Sequence, residues 1–278
     1  DVEPLAIGGL LPLDSVYGYS PSRGIAPEKA KHILGAQANV WTEYIPTEKH
    51  FEYMVFPRLC AMAEILWSPA EKRNYVDFIQ RLDTHYQRLD KKDIAYRVDA
   101  PIGFQPYNRV LEDSTTVSLN CSIPSAEIRY TLDGTMPGRT SSLYTKPLQL
   151  SLAANKKVIA KTFLKNGKES KALTGVFEKT MLLPGVKLPN PQKGLQYNYY
   201  DQQFSSAKAI ADKPTKSGIS DSIVFPKWID LKKEWFGLEY NGYIKIDKEE
   251  LYTFYLNADD GAALYIDDVL IIDNDGYH

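Results

Sequence analysis

The strongest constraint on the fold is a change in hydrophobic period near residue 100. From residue 75 to residue 89, apolar side chains recur at helical spacing. After the linker 100–106, apolar and polar residues alternate instead, which is typical of strands with one buried face. No single regular element fits both periods. The sequence therefore predicts a helix-containing segment followed by all-β segments.

The helix-containing segment predicts one buried strand and then helices. Residues 33–40 form a short apolar run that suits a buried parallel strand, although periodicity alone does not separate it from a buried helix. Helical spacing follows over 51–66, where Pro57 either starts or kinks the helix. Ser68 predicts the N-cap of the long helix that comes next. One or two such units cannot close a sheet, so we expect this segment to belong to a larger domain.

Two strand-rich segments follow the linker. Asp133-Gly134 and Asn166-Gly167 are hairpin turn signals, because these residues tolerate positive φ. The last segment carries 9 of the 19 tyrosines and alternates throughout. Its clearest predicted strands are Tyr243–Ile246, Tyr252–Leu256, Leu264–Asp267 and Val269–Ile272.

Composition narrows the function classes. The net charge of -2 argues against a nucleic-acid binder, and no apolar run reaches the roughly 18–20 residues of a transmembrane segment. Cys60 and Cys121 lack the spacing of a metal or disulfide motif. The balanced total hides a basic stretch, with 13 Lys and Arg against 6 Asp and Glu over 101–193, beside an acidic one, with 8 against 15 over 194–278. This asymmetry predicts separate modules.

The most suggestive chemical cluster is the polar and aromatic run that follows the predicted strand, residues 37–44. At the end of a barrel strand, the indole of Trp41 can form an apolar wall against a sugar ring, and the carboxylate of Glu43 can accept hydrogen bonds from sugar hydroxyls. The alternative is that Trp41 belongs to the core and Glu43 is a loop charge. Motifs for nucleotides, catalytic zinc or a serine nucleophile do not occur, so we predict no cofactor and no metal.

Several longer motifs carry a family resemblance. GAQANVWTEY, EYMVFPRLCAMAEILWSP and FIQRLDTHYQRLDKKDIAYRV resemble, in this order, the end of the catalytic barrel of family 20 glycoside hydrolases, the β-N-acetylhexosaminidases. AEIRYTLDGTMPGRTSSLYTKPLQL is similar to the C-terminal β-sandwich of that family. FGLEYNGYIKI and FYLNADDGAALYIDDVLIIDNDG resemble the first part of a PA14 domain.

The resemblance implies a multidomain fold, α/β plus all-β. Residues 1–99 would hold the last β/α units of a (β/α)8 barrel, 107–180 an Ig-like β-sandwich, and 192–278 a partial PA14-like β-sandwich. If residues 1–99 are ordered without the rest of a barrel, we expect them to pack against the sandwich or against another copy.

The resemblance also implies roles for single residues. Trp41 matches a tryptophan that closes the pocket around the N-acetylglucosamine ring, and Glu43 matches a carboxylate that binds the outer hydroxyls of the sugar. Arg58, Glu64 and Trp67 match positions with structural roles, in ion pairing and in packing behind the barrel.

By the same resemblance, the expected reaction releases terminal non-reducing N-acetyl-D-hexosamine from β-N-acetylhexosaminides by substrate-assisted retaining catalysis. The family's Asp-Glu catalytic pair lies in an H-x-G-G-D-E motif, and no Asp-Glu dipeptide occurs here. We therefore expect the pair upstream of Asp1, predict no catalytic residue in this chain and predict that the chain alone is inactive. The implied partners are N-acetylhexosamine-containing glycans and the remainder of its own barrel. The implied location is periplasmic, cell-surface or secreted.

A second hypothesis is that the protein binds glycans without catalysing a reaction. Two β-sandwich modules alone would suit a non-catalytic carbohydrate-binding or adhesion protein. In some adhesin PA14 domains, the position of Asp259-Asp260-Gly261 coordinates calcium, although this tripeptide is also a common polar turn. The barrel-like motifs favour the enzyme.

Overall fold

The structure is a computed structural model that describes residues 10–210, 213–230, 235–258 and 260–276. The chain divides into two compact units, residues 1–180 and 181–278. Neither unit contains, within these described ranges, a helix that is long and apolar enough to cross a membrane.

The first unit begins with helices. Their bounds are α1 Leu13–Tyr17, α2 Pro27–Ala30, α3 Glu48–Val55, α4 Arg58–Trp67 and α5 Tyr75–Lys91. Helix α3 starts where the Thr47 hydroxyl accepts the His50 N–H at 3.1 Å. A cis peptide bond between Phe56 and Pro57 separates α3 from α4, so Pro57 breaks the helical pattern as the sequence predicts.

Helix α5 confirms the predicted long amphipathic helix, but the predicted cap is wrong. The backbone N–H of Ser68 instead ends α4 by donating to the Glu64 carbonyl at 2.8 Å. A 3-10 turn over Ala70–Lys72 follows. The helix restarts only after Asn74, whose side chain accepts the Asp77 N–H at 3.1 Å. Ser68 is thus already used by the preceding helix, and Asn74 is the N-cap.

The strand predicted over 33–40 is also wrong for this chain. These residues form no strand, and most of them are exposed, with Leu34 99% exposed. A parallel strand needs a neighbour that accepts and donates its backbone hydrogen bonds. No described strand pairs with this segment, and the apolar run lies at the surface.

The central β region, residues 107–180, follows. Its strands are β1 Tyr107–Val110, β2 Ser114–Val117, β3 Glu127–Thr131, β4 Ser142–Leu143, β5 Leu148–Ser151, β6 Lys156–Phe163 and β7 Leu173–Lys179. Five of them form a sheet in the order β1-β7-β6-β3-β4, while β2 pairs with β5. Asn166-Gly167 lies in the antiparallel β6–β7 connection, where Gly167 has φ +101°, so this predicted hairpin is confirmed.

Two apolar cores hold the first unit together. One lies within the central β region and contains Val158, Ala160 and Phe177 with the buried residues of β2 and β5. The other joins the helices to the central β region, because Ile123 and Leu164 pack in one cluster with the buried faces of α4 and α5. The helices between residues 13 and 91 therefore pack against the β region, as expected for an ordered segment.

The second unit is also built from strands. Its elements are β8 Leu195–Tyr200, β9 Lys216–Ser220, β10 Gly237–Asn241, β11 Ala262–Ile266 and β12 Val269–Asn274. Strands β10, β8 and β9 form one antiparallel sheet, and β11 and β12 form a hairpin that agrees with two predicted strands. The Asp275 carboxylate anchors the hairpin by accepting the Ala207 N–H at 2.6 Å.

Two other predicted strands of this unit are wrong. Residues 243–246 and 252–256 form no strand, and Tyr255 is 88% exposed. Alternation makes a segment suitable for a sheet, but a ladder also requires a free sheet edge at the right distance. No described strand pairs with either of these two segments.

Candidate functional site

The segment with the predicted sugar-binding residues lies between α2 and α3. Glu43 and Tyr44 form a tight turn that closes where the Ile45 N–H donates to the Thr42 carbonyl at 3.1 Å. Just before the turn, the Trp41 indole is 65% exposed. The turn keeps Trp41 and Glu43 within two residues of each other at the surface. This arrangement presents one aromatic face and one carboxylate to solvent.

The structure places Trp41 outside both apolar cores. The interpretation of Trp41 as a core residue is therefore wrong for this chain. Glu43 is exposed and, among the described residues, makes no hydrogen bond or ion pair. Both side chains are thus accessible to an external ligand. Two residues do not enclose a sugar, so other parts of a binding pocket would have to face them.

Glu64 lies in an ionic cluster with Arg81 and Tyr17. Its carboxylate accepts two hydrogen bonds from the Arg81 guanidinium, at 2.7 and 2.9 Å, and one from the Tyr17 hydroxyl at 2.8 Å. The Arg81 hydrogen bonds are the main reason that the pKa of Glu64 lies below its usual value, although burial acts in the opposite direction. Burial, followed by the nearby Glu64 carboxylate, raises the pKa of Tyr17. The cluster joins α1, α4 and α5, which is a structural role.

Arg58 and Trp67 differ from each other in their surroundings. Arg58 donates to the carbonyls of Leu11 and Met54 at 2.8 and 2.7 Å, so it also ties helices together. Trp67 is 89% exposed in this chain, and its expected packing behind the barrel stays a prediction. Its position at the last residue of α4, where the chain turns toward Ser68, leaves the indole without a neighbouring surface.

No group of three or more His, Cys, Asp or Glu side chains converges among the residues that the structure describes. The calcium hypothesis depends on Asp259, which lies outside the described residues. Its neighbour Asp260 has φ +67°, which fits a polar turn.

Comparisons with known proteins assign the segments in order. Residues 2–70 match the model of the glycosyl hydrolase family 20 catalytic domain. Residues 107–174 match the chitobiase/beta-hexosaminidase C-terminal domain, and residues 191–278 match the PA14 domain.

This chain is similar to family 20 glycosyl hydrolases over residues 2–70. It is 32% identical to a beta-hexosaminidase of Porphyromonas gingivalis over 99% of its own length, which is 36% of that relative. A beta-hexosaminidase of Akkermansia muciniphila is 35% identical over 34% of this chain and 19% of the relative. An N,N'-diacetylchitobiase of Vibrio harveyi is 28% identical over 38% of this chain and 14% of the relative. The chain thus spans about a third or less of these relatives' lengths.

The match to the catalytic domain covers Trp41 and Glu43, together with the ionic cluster member Glu64. The family 20 match ends at residue 70, and the next match begins at residue 107. Helix α5 therefore falls in neither match, although the structure packs it into the apolar core of the first unit.

Proposed function

We propose that the protein containing this chain hydrolyses terminal non-reducing N-acetyl-D-hexosamine residues from β-N-acetylhexosaminides. The observation that carries this proposal is the family 20 segment at residues 2–70, in a chain that aligns over 99% of its length with a beta-hexosaminidase. Substrate-assisted retaining catalysis is part of the proposal by resemblance to the family. The substrate's acetamido oxygen would attack the anomeric carbon, and an enzyme carboxylic acid would protonate the leaving group.

The proposed architecture has three parts. Residues 1–99 would form the last β/α units of a (β/α)8 barrel, 107–180 an Ig-like β-sandwich and 192–278 part of a PA14-like β-sandwich. The apolar run at residues 33–40 supports the first assignment, because it is exposed and pairs with no described strand, which leaves it available to neighbouring barrel strands. In the complete barrel, this segment would become a buried parallel strand.

Within that barrel, Trp41 and Glu43 would bind the sugar. Trp41 would stack against the apolar face of the ring, and Glu43 would accept hydrogen bonds from its hydroxyls. Their exposure and their place directly after the apolar run support these roles, since barrel active sites lie at the carboxyl ends of strands. The catalytic Asp-Glu pair would come from another part of the barrel, so we expect the 278-residue chain alone to be inactive.

The proposed partners and location follow from the same function. N-acetylhexosamine-containing glycans would be the substrates, and the remainder of the barrel would be the intramolecular partner of residues 1–99. An enzyme of this kind would act in the periplasm, at the cell surface or outside the cell.

Steady-state kinetics of the full-length protein test this function. The substrate is nitrophenyl N-acetyl-β-glucosaminide, and release of nitrophenol is measured for the parent, Trp41→Ala and Glu43→Gln. Loss of the apolar contact of one aromatic ring, about 1.5–3 kcal/mol, predicts that Trp41→Ala lowers kcat/KM roughly 10- to 100-fold. Loss of a hydrogen bond to a charged acceptor predicts a similar decrease for Glu43→Gln, on the order of 10- to 100-fold.

Matched controls separate binding from general damage. Trp235 and Glu71 are exposed residues of the same types outside the proposed pocket, so Trp235→Ala and Glu71→Gln should retain parental kcat/KM. Full-length protein without hexosaminidase activity would refute the proposed function. Parental kinetics in both Trp41→Ala and Glu43→Gln would refute the site while leaving the function in place.

A further inference from the structure

The last turn of helix α5 meets the β6–β7 turn through a polar cluster. We name it the Asp90 cluster; its members are Asp90, Tyr96, Asn166 and Lys168. The Asn166 amide donates to the Asp90 carboxylate at 2.6 Å and to the Tyr96 hydroxyl at 2.7 Å. Tyr96 in turn donates to Asp90 at 3.1 Å. The two Asn166 bonds connect residues 76 and 70 positions apart in sequence, so they join the end of α5 and the segment after it to the β6–β7 turn.

Lys168 adds a charge and an aromatic contact to the Asp90 cluster. Its ammonium lies 3.1 Å from Asp90, donates to the Ile94 carbonyl at 3.2 Å and sits 3.7 Å from the centre of the Tyr96 ring. Burial would raise the pKa of Asp90, but hydrogen bonds from Asn166 and Lys168 outweigh it and lower that pKa. The carboxylate is therefore held in its charged, accepting form.

Aromatic and apolar contacts lie next to the Asp90 cluster. The Tyr96 ring stacks on Tyr86 of α5 with 4.3 Å between ring centres and 13° between planes. Leu164, which precedes the β6–β7 turn, is buried in the same core as Leu89 at the end of α5. Earlier on the same helix, Asp83 accepts a hydrogen bond from the Ser125 hydroxyl at 2.6 Å. Polar and apolar contacts thus act on the same helix.

From these contacts we infer that α5 is an interface helix whose docking partner is the central β region of its own chain, and that the two open and close as one cooperative unit. The Asp90 cluster is the polar latch of that interface. Residues 71–106 fall between two family matches. The inference implies that they do not act as a flexible linker between independent modules. This inference concerns the folding unit and does not depend on the proposed hydrolytic activity.

Hydrogen exchange measured by mass spectrometry on the full-length protein tests the inference. Asn166→Asp keeps the side-chain oxygen that accepts the Lys168 N–H at 3.0 Å, but it removes the donor and places a second carboxylate beside Asp90. We expect amides in residues 84–91 of α5 to exchange about tenfold faster than in the parent. Asn166→Ala should have an effect of the same sign.

Asn155 provides the matched control, because it is an exposed asparagine in the β5–β6 turn away from α5. Asn155→Ala should leave exchange in 84–91 within about twofold of the parent. Acceleration confined to the β6–β7 turn in Asn166→Asp would mean that Asn166 serves only its own turn, and it would overturn the latch.

A core variant tests cooperativity separately. Leu164→Ala removes buried contact from the β side of the interface only. One cooperative unit predicts that exchange in α5 and in β6 accelerates by the same factor, within about threefold. Acceleration in β6 with parental exchange in α5 would show two independent units and would overturn the inference.

Discussion

Residues 33–44 and helix α5 belong to the same compact unit and are both rich in apolar side chains, but they end in opposite environments. Helix α5 buries Phe78, Ile79 and Leu82 in a shared core, whereas Leu34 and Trp41 lie at the surface. A helix closes its backbone hydrogen bonds within itself, so it needs only one apolar surface to pack against. A parallel strand needs a neighbour for its backbone as well. A helical pattern thus needs only an apolar surface to pack against, whereas a strand pattern also needs a strand to pair with.

The largest predicted difference between the two regions is in side-chain burial. Leu82 is 2% exposed, so Leu82→Ala should lower the free energy of unfolding of the 278-residue chain by about 2–5 kcal/mol. Leu34→Ala should change it by less than about 0.5 kcal/mol. Denaturant titration followed by circular dichroism measures both values. Similar destabilisation by the two variants would contradict the difference in burial between α5 and residues 33–44.

The next effect concerns the ionic cluster that connects α5 to the other helices. Glu64→Gln keeps the shape of the side chain but removes the charge that receives both Arg81 hydrogen bonds. We expect a loss of about 1–3 kcal/mol in the free energy of unfolding. The exposed Glu71, changed to Gln, serves as the control and should unfold like the parent. Equal free energies of unfolding for the two variants would show that the ionic cluster does not stabilise the fold.

A smaller effect tests where α5 begins. Asn74→Ala removes the side-chain acceptor for the Asp77 N–H and should cost about 1 kcal/mol. Ser68→Ala should be nearly neutral, within about 0.5 kcal/mol, because the Ser68 side chain does not cap the helix. Thermal unfolding of the two variants ranks them. A reversed order would restore Ser68 as the cap.

The smallest predicted effect is a dependence of stability on pH. The Arg81 hydrogen bonds, with burial acting against them, leave the pKa of Glu64 below its ordinary value of 4.5. A lowered folded-state pKa stabilises the fold above the unfolded value, and that contribution is lost as the pH falls through the folded value. Denaturant midpoints should therefore fall less between pH 7 and roughly pH 3 in Glu64→Gln than in the parent. Parallel decreases would contradict this assignment.

Local signals account for what the sequence predicts well. The spacing in α5, the break at Pro57 and the turn at Asn166-Gly167 depend on neighbouring residues, and the structure has all three. The hairpin of β11 and β12 also depends on adjacent strands.

Signals that depend on distant partners account for the errors in the predicted strands. The strands predicted over 33–40, 243–246 and 252–256 require sheet edges that alternation does not specify, and the structure leaves these segments unpaired. The contact between Asp90 and Asn166 joins residues 76 positions apart and has no local sequence signal. The roles of Trp41 and Glu43 rest on family resemblance, and they stay predictions until the kinetics are measured.

The most direct test of the account is hydrogen exchange over residues 33–40 in two proteins, the 278-residue chain and the full-length protein. The account predicts rapid exchange in the chain alone, where these backbone groups are unpaired, and exchange slower by about 100-fold or more in the complete barrel. Rapid exchange in both proteins would contradict the proposed barrel strand and, with it, the placement of Trp41 and Glu43 at the end of that strand.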